Sequence, residues 1–450
     1  MSELALFGGE KAVKTVNPEM TKWPIITNEE EEAVLDVLRN VKMSGTDITK
    51  KFEEEFAEWI GVKYALGFNN GTASLLAAMY ACGVRKGDEI ICPSVTYWAS
   101  CLQAMTLGAT VVFANVKDDT LCIDPEDIEA KITPRTKAIV CVHYLAHPCD
   151  MDPIMAIAKK HNLKVIEDLS HAQGGLYKGR RLGTIGDVAG ISMMSGKSFA
   201  VGEGGMLITN DRSIYEHAFA LGHYERFTDA NVTCEDLKPF TGLPLGGYKF
   251  RMHQMSSAVG RVQLKYYDER CAEIRKAMNY FWDLLEGTPG IRPHRVDESD
   301  GSNMAGFYSP HGIYVAEELG GLSVTRFCQA LRAEGVPDCT PGCNAALHTH
   351  NIFQNADIYG AGKPTRIANS PEDIRKFDAN LGPAEKSGFT IYGVPWLKKF
   401  IPSEIEEYAN AFKKVVANYK ELLEGDKGNP PRIGGWHFFK HTEPEPIEKK

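Results

Sequence analysis

The chain has no apolar run approaching the roughly 18 residues that a membrane-spanning helix needs. Its first residues, Met1-Ser-Glu-Leu-Ala-Leu-Phe-Gly-Gly-Glu10, lack the charged-then-apolar order of a secretion signal, so a cytoplasmic location is expected. It has no block of lysine or arginine: 59 acidic residues outnumber 50 basic ones, for a net charge of -9, which argues against nucleic acid or an anionic membrane surface as partner. Metal-ligand spacing is nearly absent too. Of the 11 cysteines, Cys339 and Cys343 come nearest to it, but no second pair or histidine set completes a zinc site. Others, as in Ile91-Cys92 and Val140-Cys141-Val142, lie in apolar segments where thiols behave as small hydrophobes. No internal repeat is found. What remains is 450 residues, 43% of them hydrophobic, enough for one large core and a smaller one, with small molecules as the expected partners.

From Tyr64 to Asn210 short β-branched runs alternate with longer stretches of helical period, which signals parallel strands joined by helices and so an α/β fold. Strands are expected at Ala65 to Phe68, Glu89 to Cys92, Thr110 to Ala114, Ala138 to Val142, Lys164 to Glu167, Val188 to Ser192 and Met206 to Thr209. Ahead of them, Thr27-Asn-Glu-Glu30 opens a capped helix through Val34, Leu35 and Leu38. Behind them, a long helix from Arg261 to Leu285 leads into a second domain, and Ser403-Glu-Ile-Glu406 reads as the cap of a final amphipathic helix. The expected division is an N-terminal segment, 1–50, packing on the small domain; a large α/β domain, 51–285; a smaller α+β domain, 286–425; and a tail, 426–450, poorly ordered or wrapped on a partner subunit.

In an open parallel sheet, ligands gather at the carboxyl ends of the strands, and there the sequence places Asn70-Gly71-Thr72, Thr96-Tyr97, Asp168 and Lys197. Lys197 lies between an apolar run and the glycine-rich Gly202-Glu-Gly-Gly205, whose glycines would let backbone approach a ring closely, although a hairpin turn explains them as well. A lysine in a desolvated cleft can hold an aldehyde as a Schiff base, and a carboxylate such as Asp168 keeps a pyridine nitrogen protonated; together they are what a pyridoxal phosphate (PLP) enzyme needs. Taken singly, Asp168 is an ordinary helix cap or ion-pair partner, and His171 an ordinary core histidine. Gly71, Thr72 and Ala73 open a helix whose first N–H groups can hold a phosphate, with Ser192 adding a hydroxyl, and Tyr97 offers a ring to stack on a cofactor.

The segments Asn70-Gly71-Thr72-Ala73, Gly87-Asp88-Glu89-Ile90-Ile91-Cys92-Pro93, Glu167-Asp168-Leu-Ser-His171-Ala172, Lys197 with Gly202-Glu-Gly-Gly205, and Thr209-Asn210-Asp211 resemble the DegT/DnrJ/StrS family of sugar aminotransferases. The resemblance runs from about Trp23 to the final helix. It implies a fold type I PLP enzyme, a homodimer with cofactor sites at the subunit interface, that aminates a keto sugar or keto cyclitol with glutamate or glutamine as donor. It further implies that Lys197 carries the cofactor, Asp168 pairs with its ring nitrogen, Tyr97 stacks on the ring, His171 lies at the phenolic oxygen, and Gly71, Thr72, Ala73 and Ser192 hold the phosphate. Lys249 stands where many relatives carry an asparagine that reaches the neighbouring subunit's phosphate, and His348, in a long loop from Pro341 to Pro383, matches a histidine that positions substrate; Tyr359 or Trp396 would serve equally as a wall for a sugar ring. Two other readings of the same fold remain: a sugar dehydratase, against which Lys197 speaks because such relatives replace the lysine by histidine, and a PLP-binding regulatory or sensor protein. The stretch from Arg226 to Pro244 is long for a minimal member. Few arginines lie near His348, which favours an acceptor without a nucleotide.

Overall fold

The structure, a computed structural model, describes residues 2–15, 17–354 and 381–430. Seven strands form its main sheet: β1 (Tyr64–Phe68), β2 (Glu89–Pro93), β3 (Thr110–Ala114), β4 (Thr136–Val142), β5 (Lys164–Asp168), β6 (Val188–Ser192) and β7 (Gly205–Thr209), in the spatial order β1-β7-β6-β5-β4-β2-β3. Neighbours from β3 through β6 pair in parallel, whereas β7 is antiparallel to both β6 and β1. All seven expected strands are present; the largest difference in bounds is at β4, which starts at Thr136 rather than Ala138. Their legibility has a simple cause, since strands covered on both faces must be apolar throughout and so stand out as short β-branched runs.

Helices α1 (Asn28–Arg39), α2 (Asp47–Ile60), α3 (Gly71–Ala81), α4 (Pro125–Lys131), α5 (Met151–His161), α6 (Arg212–Gly222) and α7 (Gln254–Leu284) surround this sheet. On one face Leu75, Met79 and Phe219 of α3 and α6 pack with Val140, Ile166 and Leu207; on the other, Phe52, Phe56 and Ile154 of α2 and α5 pack with Ile139, Val165 and Ile191. The α1 cap is Thr27, whose hydroxyl accepts from the Glu29 N–H while Glu30 reaches back to the Thr27 N–H. The long helix α7 starts at Gln254 rather than at Arg261, because His253 caps it through Nδ1 and the helix runs on through Gly260.

A second, antiparallel sheet of β8 (Ile291–Pro293), β9 (His311–Tyr314) and β10 (Ile391–Gly393) is covered by α8 (Val324–Ala333) and α10 (Pro402–Ala417), with α9 (Gly382–Thr390) running into β10. Its core joins Trp282, Phe327, Tyr392 and Phe412, and Leu4, Val13 and Met20 of the leading segment belong to the same cluster, whereas α1 and α2 pack along α7. Ser403 is not a cap: α10 begins with Pro402 in its first turn after Ile401, and no side chain caps it, a start that proline's fixed φ favours without one. The first tail residues are also better anchored than expected. Asp426 accepts from the backbone and hydroxyl of Ser323, and Asn429 accepts from both donors of Thr325, tying them to the start of α8. The rest of the tail, 431–450, and Tyr359 lie outside the described residues.

Candidate active site

The carboxyl ends of the parallel strands gather most of the expected groups. Asp168 closes β5, Ser192 closes β6, and the chain leaving β1 enters α3 through Asn70. Lys197 lies at the tip of the connection between β6 and β7, which continues their ladder through Met193 N–H to Gly204 O (2.9 Å) and Ser195 N–H to Gly202 O (2.8 Å).

Asp168 is buried, and its carboxylate accepts from the Ser100 hydroxyl (2.7 Å to Oδ2) and from the Ser170 N–H (3.0 Å to Oδ1). The single proton of Ser100 is thereby committed, so the neighbouring Thr96 hydroxyl, 2.8 Å away, donates to Ser100. No lysine, arginine or histidine among the described residues forms an ion pair with Asp168. A buried carboxylate held only by neutral donors is set up to receive a cation.

Lys197 is the complement. It is 8% exposed, its Nζ lies 3.4 Å from the Tyr308 hydroxyl and 4.4 Å from the Tyr308 ring centroid, and no carboxylate among the described residues pairs with it. Trp23 Nε1 donates to the Lys197 carbonyl (2.8 Å), pinning the backbone under the amine. His171, also buried, has its ring centroid 4.5 Å from that of Tyr308 and accepts from the Leu145 N–H at Nδ1 (3.3 Å), which leaves its proton on Nε2. Burial, followed by the proximity of Lys197 and His311, holds His171 well below the ordinary histidine range, so it is a neutral imidazole. Tyr97 is 36% exposed and packs on Trp98, with ring centroids 4.9 Å apart. Burial pushes its hydroxyl pKa up, against a hydrogen bond with Trp98 and with help from the nearby Tyr308.

At the start of α3, Asn70 is the cap: its Oδ1 takes the Ala73 N–H (2.8 Å). Ala73 was one of three expected phosphate donors, and this capping bond commits its N–H elsewhere. Gly71 and Thr72 keep theirs, with no side-chain acceptor among the described residues, as the first turn of a helix leaves them. The Ser192 hydroxyl takes part in no hydrogen bond among the described residues, while its backbone is held by Ser170 and Gln173. The helix entrance presses directly on β6: a Cβ at Gly71 would lie 2.6 Å from the Ser192 Cβ and 2.7 Å from its Cα. Gly205 serves the same contact, since a Cβ there would meet the Asn70 carbonyl oxygen at 2.4 Å. That glycine admits the entrance of α3 to β7 rather than a ligand ring.

Two expected residues stand apart. Lys249 is exposed and contacts none of these groups within the chain. His348 is buried at the end of β2, with Nδ1 2.6 Å from the Ser94 hydroxyl and Nε2 2.9 Å from Glu385. Burial lowers its pKa, with Glu385 opposing. The sequence reading missed Tyr308, Ser100 and the Ser94 and Glu385 partners. Only Ser100 left a trace, as a hydroxyl four positions after Thr96 in an otherwise apolar stretch.

These donors fit one group. An unpaired buried carboxylate suits a protonated pyridine nitrogen, an unpaired buried amine suits an aldehyde, and a helix entrance with two open N–H groups beside a serine hydroxyl suits a phosphate. On a sheet whose only reversed strand is β7, they define a fold type I PLP-dependent aminotransferase. The model of the DegT/DnrJ/EryC1/StrS aminotransferase family matches residues 24–371, and the chain belongs to that family. GDP-perosamine synthase of Caulobacter vibrioides is 36% identical over 372 residues, covering 80% of this chain and 96% of that protein. An L-glutamine:2-deoxy-scyllo-inosose aminotransferase of Streptoalloteichus tenebrarius is 33% identical over 366 residues, covering 77% and 83%. Among solved structures, the aminotransferase from Psychrobacter cryohalolentis superposes with a TM-score of 0.77 at 32% identity, covering 89% of this chain and 100% of that one. No helix among the described residues is long and apolar enough to cross a membrane.

Proposed function

We propose that this enzyme transfers an amino group from glutamate or glutamine to a keto sugar or keto cyclitol, working as a homodimer with sites at the subunit interface. The observation that carries the reading is the buried Lys197 amine with no counter-ion among the described residues, at the same sheet end as the buried Asp168 carboxylate with no cation among them. The relatives named GDP-perosamine synthase and L-glutamine:2-deoxy-scyllo-inosose aminotransferase support the substrate class. Exposed Tyr224, Phe240, Leu243, Leu245 and Tyr248, on the segment that ends at Lys249, support a surface covered by a second copy, where Lys249 would reach the partner's phosphate.

Bound PLP would supply a carbonyl for amine exchange and an electron sink for deprotonation at the carbon bearing the amine. Lys197 Nζ would hold its aldehyde carbon and, as a free amine, would remove the proton from the donor's α carbon. Asp168, its two oxygens fixed by Ser100 and the Ser170 N–H, would keep the ring nitrogen protonated. Gly71, Thr72 and Ser192 would hold the cofactor's phosphate, Tyr97 would cover its ring, and neutral His171 would offer an Nε2 proton to its phenolic oxygen. Held between Ser94 and Glu385, His348 orients the acceptor.

The test is spectroscopic. Enzyme reconstituted with PLP is mixed with glutamate or glutamine and its visible cofactor band is followed. Loss of the band with release of the 2-oxo acid, reversed by a keto sugar or inosose, is the expected result. A band that neither donor changes defeats the proposal in favour of a sensor, and an acceptor that loses water without gaining nitrogen defeats it in favour of a dehydratase.

A further inference from the structure

Among the described residues Lys197 has one polar partner for its amine, Tyr308, and that partner comes from the smaller layer of the molecule. Tyr308 precedes β9 in a segment where Ala305, Phe307 and Ser309 all take left-handed backbone angles (φ 43, 48 and 48), which non-glycine residues rarely adopt. Three such residues alternating with Gly306 and Tyr308 hold a backbone path that ordinary conformations would not follow. The path is braced by Trp396, whose Nε1 donates to the Gly306 carbonyl (2.8 Å) and whose ring meets Tyr308 edge-on at 5.7 Å. Trp396 in turn packs against Trp23, at 5.9 Å, the residue that pins the Lys197 carbonyl. Two indoles thus fix the lysine backbone and the tyrosine loop relative to each other.

We infer that Tyr308 is a positioning residue for Lys197 in the proposed amino transfer. The lysine side chain has four rotatable bonds, and an amine that must leave one carbon and then move a proton at another loses rate when it is free to wander. A phenol suits both of its states: the hydroxyl oxygen accepts from the ammonium, and the hydroxyl proton donates to the free amine. The ring face, 4.4 Å from Nζ, attracts the charged state. The inference rests on the aminotransferase reading above, and it adds a residue that the local motifs do not contain.

The test uses the PLP-loaded full-length enzyme, Tyr308→Phe, and α-deuterated donor in single-turnover measurements of the visible band. Tyr308→Phe is expected to bind PLP with an unshifted band and to bind the donor normally. Its donor half-reaction should slow by about tenfold to a hundredfold, with a larger deuterium isotope effect, because proton movement by a less well-aimed amine becomes limiting. If Tyr308→Phe fails to retain PLP, Trp396→Phe, which keeps the hydroxyl but loses the bond to Gly306, should show a smaller slowing with the same rise in isotope effect. An unchanged rate and isotope effect, or a defect confined to acceptor KM, overturns the inference. Wild-type enzyme whose band ignores both donors overturns the aminotransferase reading itself, and that result is visible before any variant is made.

Discussion

Lys197 and Lys398 are both buried, at 8% and 3% exposure, and both lie over an aromatic ring, yet they sit in different chemical settings. Lys398 Nζ is 3.3 Å from the Trp396 ring centroid and 5.7 Å from that of Trp23, with the Trp396 carbonyl 3.3 Å away. Its backbone N–H donates to Met20 (2.7 Å), so it closes a seam between the leading segment and the small sheet. Burial pushes its amine down to about 6, against the attraction of Asp338. A buried amine is therefore not by itself a sign of catalysis. Lys197 differs in its company: a tyrosine hydroxyl, a neutral histidine and, at the neighbouring strand ends, an unpaired carboxylate and an open helix entrance.

The contrast can be broken first at the lysines themselves. Lys197→Ala is expected to lower turnover by about four orders of magnitude, while Lys398→Met should keep it within about threefold; equal losses in steady-state assays would show that the two settings are not distinct. Asp168→Asn should cost about 10²- to 10³-fold in kcat while leaving Lys197 able to hold the cofactor, measured as a persistent visible band. Gly71→Ala sharpens the contrast through space alone. The added methyl would collide with the Ser192 Cβ and backbone, so PLP affinity should fall by about tenfold and stability by about 2 kcal/mol, read from cofactor titration and denaturant unfolding.

The smallest effect concerns pH. Between about pH 6 and pH 10 the unfolded chain keeps the Lys398 proton and the folded chain does not, so this group makes stability rise with pH across that window. Below about pH 6 both states bind the proton and the slope from this group vanishes. Lys398→Met should flatten the rise and lift Tm at neutral pH by roughly 3 °C in thermal melts. A variant with the wild-type slope would show that the amine is charged in the folded protein.

The parts of the site that were legible lie close together in the chain. The strand ends, Asp168 with His171, and the Asn70 to Ala73 entrance each fall within a few residues, and local periodicity marks where the strands stop. Tyr308 stands 111 positions from Lys197, and Ser94 is 254 from His348; no local pattern encodes such pairings. Other misses were chemical. Asn70 took the Ala73 N–H because a capping side chain competes with any ligand for the same donors, and Pro402 rather than Ser403 began α10 because a proline in the first turn starts a helix without a side-chain bond. The glycines after Lys197 suggest close approach of backbone to a ligand ring, but at Gly205 the close neighbour is the Asn70 backbone.

Because β7 doubles straight back along β6, the amine rides on a stiff spur of the sheet, anchored from both flanks, whereas the tyrosine that aims it belongs to the layer built around β9. Any hinging between those layers would change the Lys197 to Tyr308 spacing and leave the spacing between Lys197 and the strand-end groups untouched.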